Sequence, residues 1–222
     1  VIKMLFLCKK RPDLGREEYA RRILEGHVPL AIRHHPTLRH YVVNVVETGP
    51  DYDSIAELSF DTLADFRERL YDSPEGQEII QRDVDGFLAS ADAYATRERI
   101  HLDRTGDHPL GERTPGVKWI CALQRRRGMS REEFERIWLE DHVQRALKVR
   151  RNILRYATLG VEEKLSESGD DWDGFTVIHF ADERDARSAL DERSESMQEL
   201  GPSRQRFLGR GLLYTVSEYV QK

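Results

Sequence analysis

The chain has 222 residues, with 35 Lys plus Arg against 40 Asp plus Glu, for a formal net charge of −5. That near balance gives no electrostatic case for nucleic-acid binding, and a hydrophobic content of 39% belongs to a folded domain rather than a disordered one. No apolar run approaches the roughly 18 residues a membrane span needs, and the apolar residues 2–8 precede their positive cluster at 9–11, the reverse of a secretory signal, so a cytoplasmic protein without a membrane partner is expected.

The first element is an apolar run at residues 2–9, bounded by charges and read as a strand. A helix is expected to begin at Gly15-Arg16-Glu17, because Tyr19, Ile23 and His27 follow at i+4 spacing, and the His27-Val28-Pro29 step is expected to bend or end it. Residues 38–47, rich in β-branched types, and residues 54–60 read as two further strands. Between Phe60 and Phe87 the spacing of Phe66 and Leu70 predicts helix with an interruption at Pro74-Glu75-Gly76, and residues 91–98 form a fourth strand. The order is β-α-β-β-α-β.

That order occurs twice. A displacement of 115 positions aligns residues 3–41 with 118–156 without a gap, and twelve of those 39 positions are identical, among them Lys3/Lys118, Glu25/Glu140, His27/His142, Val28/Val143 and Tyr41/Tyr156. Chance gives roughly one identity in sixteen, so the chain is a duplication. After five extra residues in the second copy, a displacement of 120 aligns 52–98 with 172–218 and pairs Phe60/Phe180, Phe87/Phe207, Tyr94/Tyr214 and Glu98/Glu218. Ser130 is placed to cap the second copy's first helix, with Glu133 completing a capping box. The repeats span residues 1–100 and 117–222, joined by a Pro- and Gly-containing linker at 101–116. Each copy is an α+β unit with a four-stranded antiparallel sheet and helices on one face. Setting the two sheets face to face covers the other face and encloses a barrel-like cavity.

The runs Lys3-Met-Leu-Phe-Leu-Cys-Lys-Lys-Arg-Pro-Asp-Leu-Gly-Arg-Glu-Glu-Tyr, Gly26-His-Val-Pro-Leu30, Asp53-Ser-Ile-Ala-Glu-Leu-Ser-Phe-Asp61 and Asp72-Ser-Pro-Glu-Gly76 resemble an EthD-type domain. The resemblance covers residues 3–98 well and 117–220 less well, since Gln144 replaces Pro29, Val177 stands in place of Glu57, and Ser194-Glu-Ser196 replaces Pro-Glu-Gly. It implies two ferredoxin-like repeats of the dimeric α+β barrel superfamily, paired here within one chain. It also implies a cavity for a small, largely apolar or aromatic molecule. Fold relatives include cofactor-independent cyclases, decarboxylases, dehydratases, isomerases, monooxygenases and haem-handling proteins, so the fold alone does not choose a reaction.

Strand alternation sends Tyr41, Val43 and Val45 toward the helices and His40, Val42 and Asn44 toward the barrel, and it sends Ile55, Glu57 and Ser59 the same way. A carboxylate and a histidine in a partly dry cavity suit acid–base chemistry, so His27, Glu57 and His40 are the catalytic candidates. Asn44, Tyr94, His142, His179, Trp138 and Trp119 are expected to shape the substrate pocket. The first copy holds more of these polar groups, which favours one asymmetric site. Neither cysteine has a metal-binding spacing, His34-His35 cannot readily share one metal ion, and no nucleotide or serine-hydrolase motif occurs. The expected function is therefore a cofactor-independent lyase or isomerase acting on a small apolar or aromatic, polyketide-like molecule. The alternatives are a haem-dependent or cofactorless monooxygenase and a non-catalytic carrier of hydrophobic ligands. The expected assembly is a monomeric pseudo-dimer, with a homodimer of such chains as the alternative.

Overall fold

The computed structural model describes residues 1–150, 152–191 and 193–222. The first repeat runs β1 (Ile2–Lys10), α1 (Arg16–Arg21), a π-helical turn (Arg22–His27), α2 (Val28–His34), β2 (His40–Thr48), β3 (Ser54–Phe60), α3 (Leu63–Arg69), α4 (Pro74–Asp85) and β4 (Leu88–Asp103). The second repeats this order with β5 (Val117–Arg125), α5 (Arg131–Arg136), a π-helical turn (Ile137–His142), α6 (Val143–Val149), β6 (Ile153–Lys164), β7 (Gly174–Phe180), α7 (Glu183–Ser188), α8 (Glu195–Phe207) and β8 (Leu208–Val220). Local sequence explains the boundaries. Thr62 and Asp65 form a reciprocal capping box on α3, Ser73 accepts the Gly76 amide with Pro74 in the first turn of α4, and Ser130 accepts the Glu133 amide at 3.1 Å.

The eight strands close into one antiparallel barrel in the order β1-β3-β2-β8-β5-β7-β6-β4. Two seams join the repeats: β2 pairs with β8 from Val42↔Val220 to Thr48↔Thr215, and β4 pairs with β6 from Tyr94↔Lys164 to Asp103↔Arg155. β4 is longer than its apolar signal because it serves two sheets, bonding β1 along its first half and β6 beyond. Its outer part, Arg97-Glu98-Arg99, carries charge instead of a hydrophobic period. The linker lies against β8, held by an Arg113↔Tyr219 bridge and by the Thr114 amide donating to the Glu218 carbonyl at 2.8 Å.

The helix through His27 does not stop at Pro29, contrary to the expectation. It passes through a π turn in which the Val28 amide donates to the Ile23 carbonyl, and it continues to His34. The second repeat forms the same turn, Val143 to Trp138, with Gln144 at the proline's position, so proline does not cause it. Single π turns of this kind recur at functional sites, and here each ends on a histidine.

The alternation read from β2 and β3 holds, but the barrel interior is packed rather than hollow. Leu5, Leu7, Ile55, Tyr94, Ile120, Leu159, Phe175 and Tyr214 are fully buried there as one cluster. An eight-stranded barrel is just wide enough for side chains to fill. Beside this plug, Glu57 accepts from Lys3 at 3.0 Å, from Lys118 at 2.7 Å and from the Asn44 amide at 3.0 Å. Lys118 also pairs with Glu218, and Lys3 with Glu98 at 2.8 Å, which in turn receives Arg155 at 3.1 Å. Burial would raise the Glu57 carboxyl, but the ammonium groups of Lys118 and Lys3 overcome that and hold it well below the usual carboxylate range.

Removing one partner from such a cluster leaves buried charge without compensation. Glu57→Gln is expected to destabilise the fold by about 3–5 kcal/mol, while the quadruple replacement Lys3→Met, Glu57→Leu, Lys118→Met and Glu218→Leu, which removes Glu218 with its partner and leaves Glu98 on Arg155, recovers most of that loss. Urea midpoints of the two variants check this, and equal midpoints for Glu57→Gln and the parent would refute it.

Candidate functional site

Each repeat has a cavity on the other side of its sheet, under the helices. In the first repeat a cavity of about 280 Å³ has Tyr41, Val43, Ala56 and Leu58 of the sheet as its floor, and Tyr19, Ile23 and His27 of the π-interrupted helix among the side chains that cover it. Its lining is mostly apolar, with α3 and α4 contributing Phe66, Leu70, Ile80 and Val84. Polar groups are few and held in defined states. The His27 Nδ1 lies 2.8 Å from Asp83 on α4, and since a carboxylate only accepts, Nδ1 carries a proton. No protein partner for Nε2 occurs among the described residues. The ring also packs on Phe87 at 5.2 Å.

His35 is buried, its Nδ1–H donating to the Leu70 carbonyl at 3.0 Å, and burial pushes it down to about 4, so it is neutral at pH 7. Tyr19 shares a 2.9 Å hydrogen bond with Ser54. Tyr41 makes no side-chain hydrogen bond among the described residues, and burial raises its hydroxyl well above the ordinary phenol value, so it is a protonated donor bordering the cavity. Burial also lifts the Cys8 thiol to about 12, which removes thiolate chemistry at neutral pH. The cavity thus offers two oriented imidazoles, His27 and His35, the phenolic hydroxyls of Tyr41 and Tyr71, and apolar walls.

The second repeat has its own cavity of about 390 Å³ in the equivalent place, lined by Trp119, Trp138, His142, Arg150, Tyr156 and Arg204 among others. His142 takes the place of His27, but its Nδ1 lies 2.7 Å from Ser203, the residue aligned with Asp83. Ser203 gives its own proton to the Leu200 carbonyl at 3.0 Å, so His142 is again protonated on Nδ1. Burial, then Arg150 and Arg204, push it down to about 4. Trp138 presses on the sheet at Gly174, where a Cβ would lie 2.6 Å from the indole. The first repeat has Ile23 and Ser54 at these two positions.

The residues singled out from sequence therefore divide among five places. His27 lines the first cavity, while His142, Trp138 and Trp119 line the second. Glu57 and Asn44 lie in the barrel's charged cluster, and Tyr94 lies in its apolar plug, donating to the Asp170 carbonyl at 2.7 Å. His40 is exposed at the first position of β2, opposite Ser59. His179 is buried with its Nε2 3.0 Å from the Pro115 carbonyl, where it clasps the linker. The structure does not bring His27 and Glu57 together, because they face opposite sides of the sheet. The sequence reading did not single out Asp83 or Arg150. Asp83 is 56 residues from His27 and carries no local signal, although the Asp83/Ser203 difference beside a retained His27/His142 pair could have pointed to it. Among the described residues no group of three or more His, Cys, Asp or Glu side chains is arranged to hold a metal ion, and no helix is long and apolar enough to cross a membrane.

The EthD domain profile matches residues 11–91, most of the first repeat. No curated protein matches the chain. Among solved structures, an anthrone oxidase-like protein superposes with a TM-score of 0.70 at 9% identity, covering 99% of this chain and 92% of its own. A provisionally named monooxygenase from Lactobacillus acidophilus NCFM gives 0.58 at 9% identity, covering 100% and 95%. Chlorite dismutase from Candidatus Nitrospira defluvii gives 0.52 at 12% identity, covering 97% and 91%. At these identities the likeness establishes the fold, an α+β barrel of ferredoxin-like repeats. The expectation of a lyase or isomerase is corrected by these neighbours, whose names point to oxidase and monooxygenase chemistry. The His/Glu pair on which that expectation rested also fails, since Glu57 is a permanent carboxylate locked between lysines.

His35 and His142 titrate near 4 when folded and near 6.5 when unfolded. The unfolded chain therefore binds more protons between those values, and the stability that both neutral rings contribute above pH 6.5 is lost as pH falls toward 4. The urea midpoint is expected to decline across that window and to decline less in His142→Gln. A midpoint flat from pH 6.5 to 4 would contradict the assignment.

Proposed function

With residues 11–91 forming an EthD domain, we propose that the chain is a monooxygenase-type oxidase that acts on a small phenolic or activated aromatic molecule in the first-repeat cavity. The observation that carries this reading is the His27–Asp83 pair at 2.8 Å beside the Tyr41 hydroxyl, in a cavity otherwise lined by apolar side chains. The oxidase and monooxygenase names of the fold neighbours support it.

An electron-rich aromatic needs only deprotonation to become a reductant of O2. Nε2 of His27 takes a proton from an acidic phenol or ring methylene, and Asp83 stabilises the imidazolium that forms. Tyr41 donates to the oxyanion, whose charge is costly in a dry cavity without a donor. The carbanion forms a bond to O2 and gives a peroxide. Loss of the second methylene proton then breaks the O–O bond, leaving one oxygen as a carbonyl and releasing the other as water. Substrate loses four electrons and O2 gains four, so no external reductant enters. In this reading the protein works without a cofactor and as a monomeric pseudo-dimer.

Haem, the alternative group, does not fit the first cavity. At about 280 Å³ it falls below the roughly 300–1,000 Å³ of pockets that hold drug-sized ligands, and a four-pyrrole macrocycle with its propionates is larger than most of those. No step is routed through it.

Oxygen uptake with a tricyclic hydroxyarene bearing an activated methylene tests the proposal. His27→Ala is expected to lower kcat/KM by about 10²–10⁴-fold and Asp83→Asn by at least about 10-fold, with one labelled oxygen from ¹⁸O₂ in the product. Full activity in His27→Ala, or product oxygen drawn from water, would overturn it.

A further inference from the structure

The oxidation proposed above uses His27, Asp83 and Tyr41 and leaves the cavity's other imidazole without a role. His35 ends α2, its amide donating to the Ala31 carbonyl at 2.9 Å. Its Nδ1 lies 3.0 Å from the carbonyl of Leu70, which closes α3. Such a carbonyl has no intrahelical donor. Since it only accepts, Nδ1 carries the proton and Nε2 presents a lone pair. Tyr71 packs on the ring with centroids 5.3 Å apart. Burial, which pushes His35 down to about 4, keeps Nε2 an acceptor at pH 7.

His35 is 5% exposed and lines the cavity. No protein partner for its Nε2 occurs among the described residues. The nitrogen is also absent from the polar side-chain atoms that are both sealed and unpartnered, such as Trp138 Nε1 and the Tyr214 hydroxyl, so its lone pair meets open space. An acceptor left this way in an apolar cavity is costly until an occupant supplies a donor. His27 and His35 stand eight residues apart on one π-interrupted helix, about 12 Å along its axis at 1.5 Å per residue. A molecule that meets both carries polar groups at opposite ends.

We infer that His35 selects the substrate by accepting a hydroxyl at the end remote from the group that His27 deprotonates, so that the cavity takes an elongated fused-ring polyphenol and rejects its methyl ether. The inference rests on the reading of this cavity as the phenol site and names the substrate class further. A methyl ether keeps the ring but leaves Nε2 unpaired, and a site built to hydrogen-bond a hydroxyl discriminates strongly against the analogue lacking it. The second repeat has Arg150 at the aligned position, and a guanidinium only donates, so this selection belongs to the first repeat.

Calorimetric titration without oxygen, using naphthalene-2,6-diol and its monomethyl ether, reads selection apart from reaction. The ether has a single hydroxyl for two imidazoles, and the diol is expected to bind at least about 10-fold more tightly. His35→Asn retains an N–H for the Leu70 carbonyl and deletes the acceptor, which should bring the two probes within about 2-fold, with circular dichroism verifying the fold. In oxygen uptake the same variant should raise KM about 10-fold and leave kcat within about 3-fold, the signature of lost uniform binding. Equal affinity of the parent for the two probes overturns the inference, as does a diol preference that survives in His35→Asn. The ¹⁵N resonance of His35 Nε2 in the parent needs no variant, and its failure to move on adding the diol would overturn it too. Full oxygen uptake in His27→Ala with the anaerobic diol preference intact would refute the oxidation and support the selection.

Discussion

One carboxylate shared by two lysines organises this protein. Lys3 and Lys118 occupy matching positions in the two repeats, and each has a matching glutamate of its own, Glu98 and Glu218. Glu57 has no counterpart, because Val177 stands at the aligned position, and it bonds both ammonium groups from where the halves meet. A second carboxylate there would face the first across the pseudo-axis and repel it. Desolvated ions hold only in a narrow geometry, so the contact fixes how the two sheets face each other. With the interior occupied by this cluster and its apolar plug, the cavities that His27 and His142 line lie between sheet and helices, one in each repeat.

Those two volumes have diverged under a common geometry. Both helices carry a π turn ending on a histidine whose Nδ1 is protonated. What changed is the group behind the ring: Asp83 accepts from His27 and Ser203 accepts from His142, whose ring burial and then two nearby arginines keep neutral. A single substitution at one aligned position thus sets a carboxylate behind one ring and a hydroxyl behind the other.

The fold was legible because its signals are local or repeated. Strand alternation in β2 and β3 placed Tyr41 and Glu57 on the correct faces, and the internal alignment required two copies of one topology. The position of the hollow was not legible, since alternation says which face a residue takes and not which face is filled. Glu57 looked like an active-site carboxylate in one strand; only the closed barrel brings Lys118, 61 residues away, onto it. His27 was visible from its spacing, whereas its partner Asp83 arrives through the packing of α4, which no periodicity records. The π turn escaped notice for a related reason, as Pro29 suggested a break and the second repeat makes the same turn without it.

Both seams of the barrel run between segments of one polypeptide. A barrel assembled from two separate chains would dissociate on dilution, and two different halves would have to find each other among like-with-like pairings. Here assembly is unimolecular, and the proportion of the two cavities is written into the gene at one to one. Mutations that specialise one half are never averaged over a symmetric partner, which is how an Asp83-backed and a Ser203-backed histidine can coexist in 222 residues.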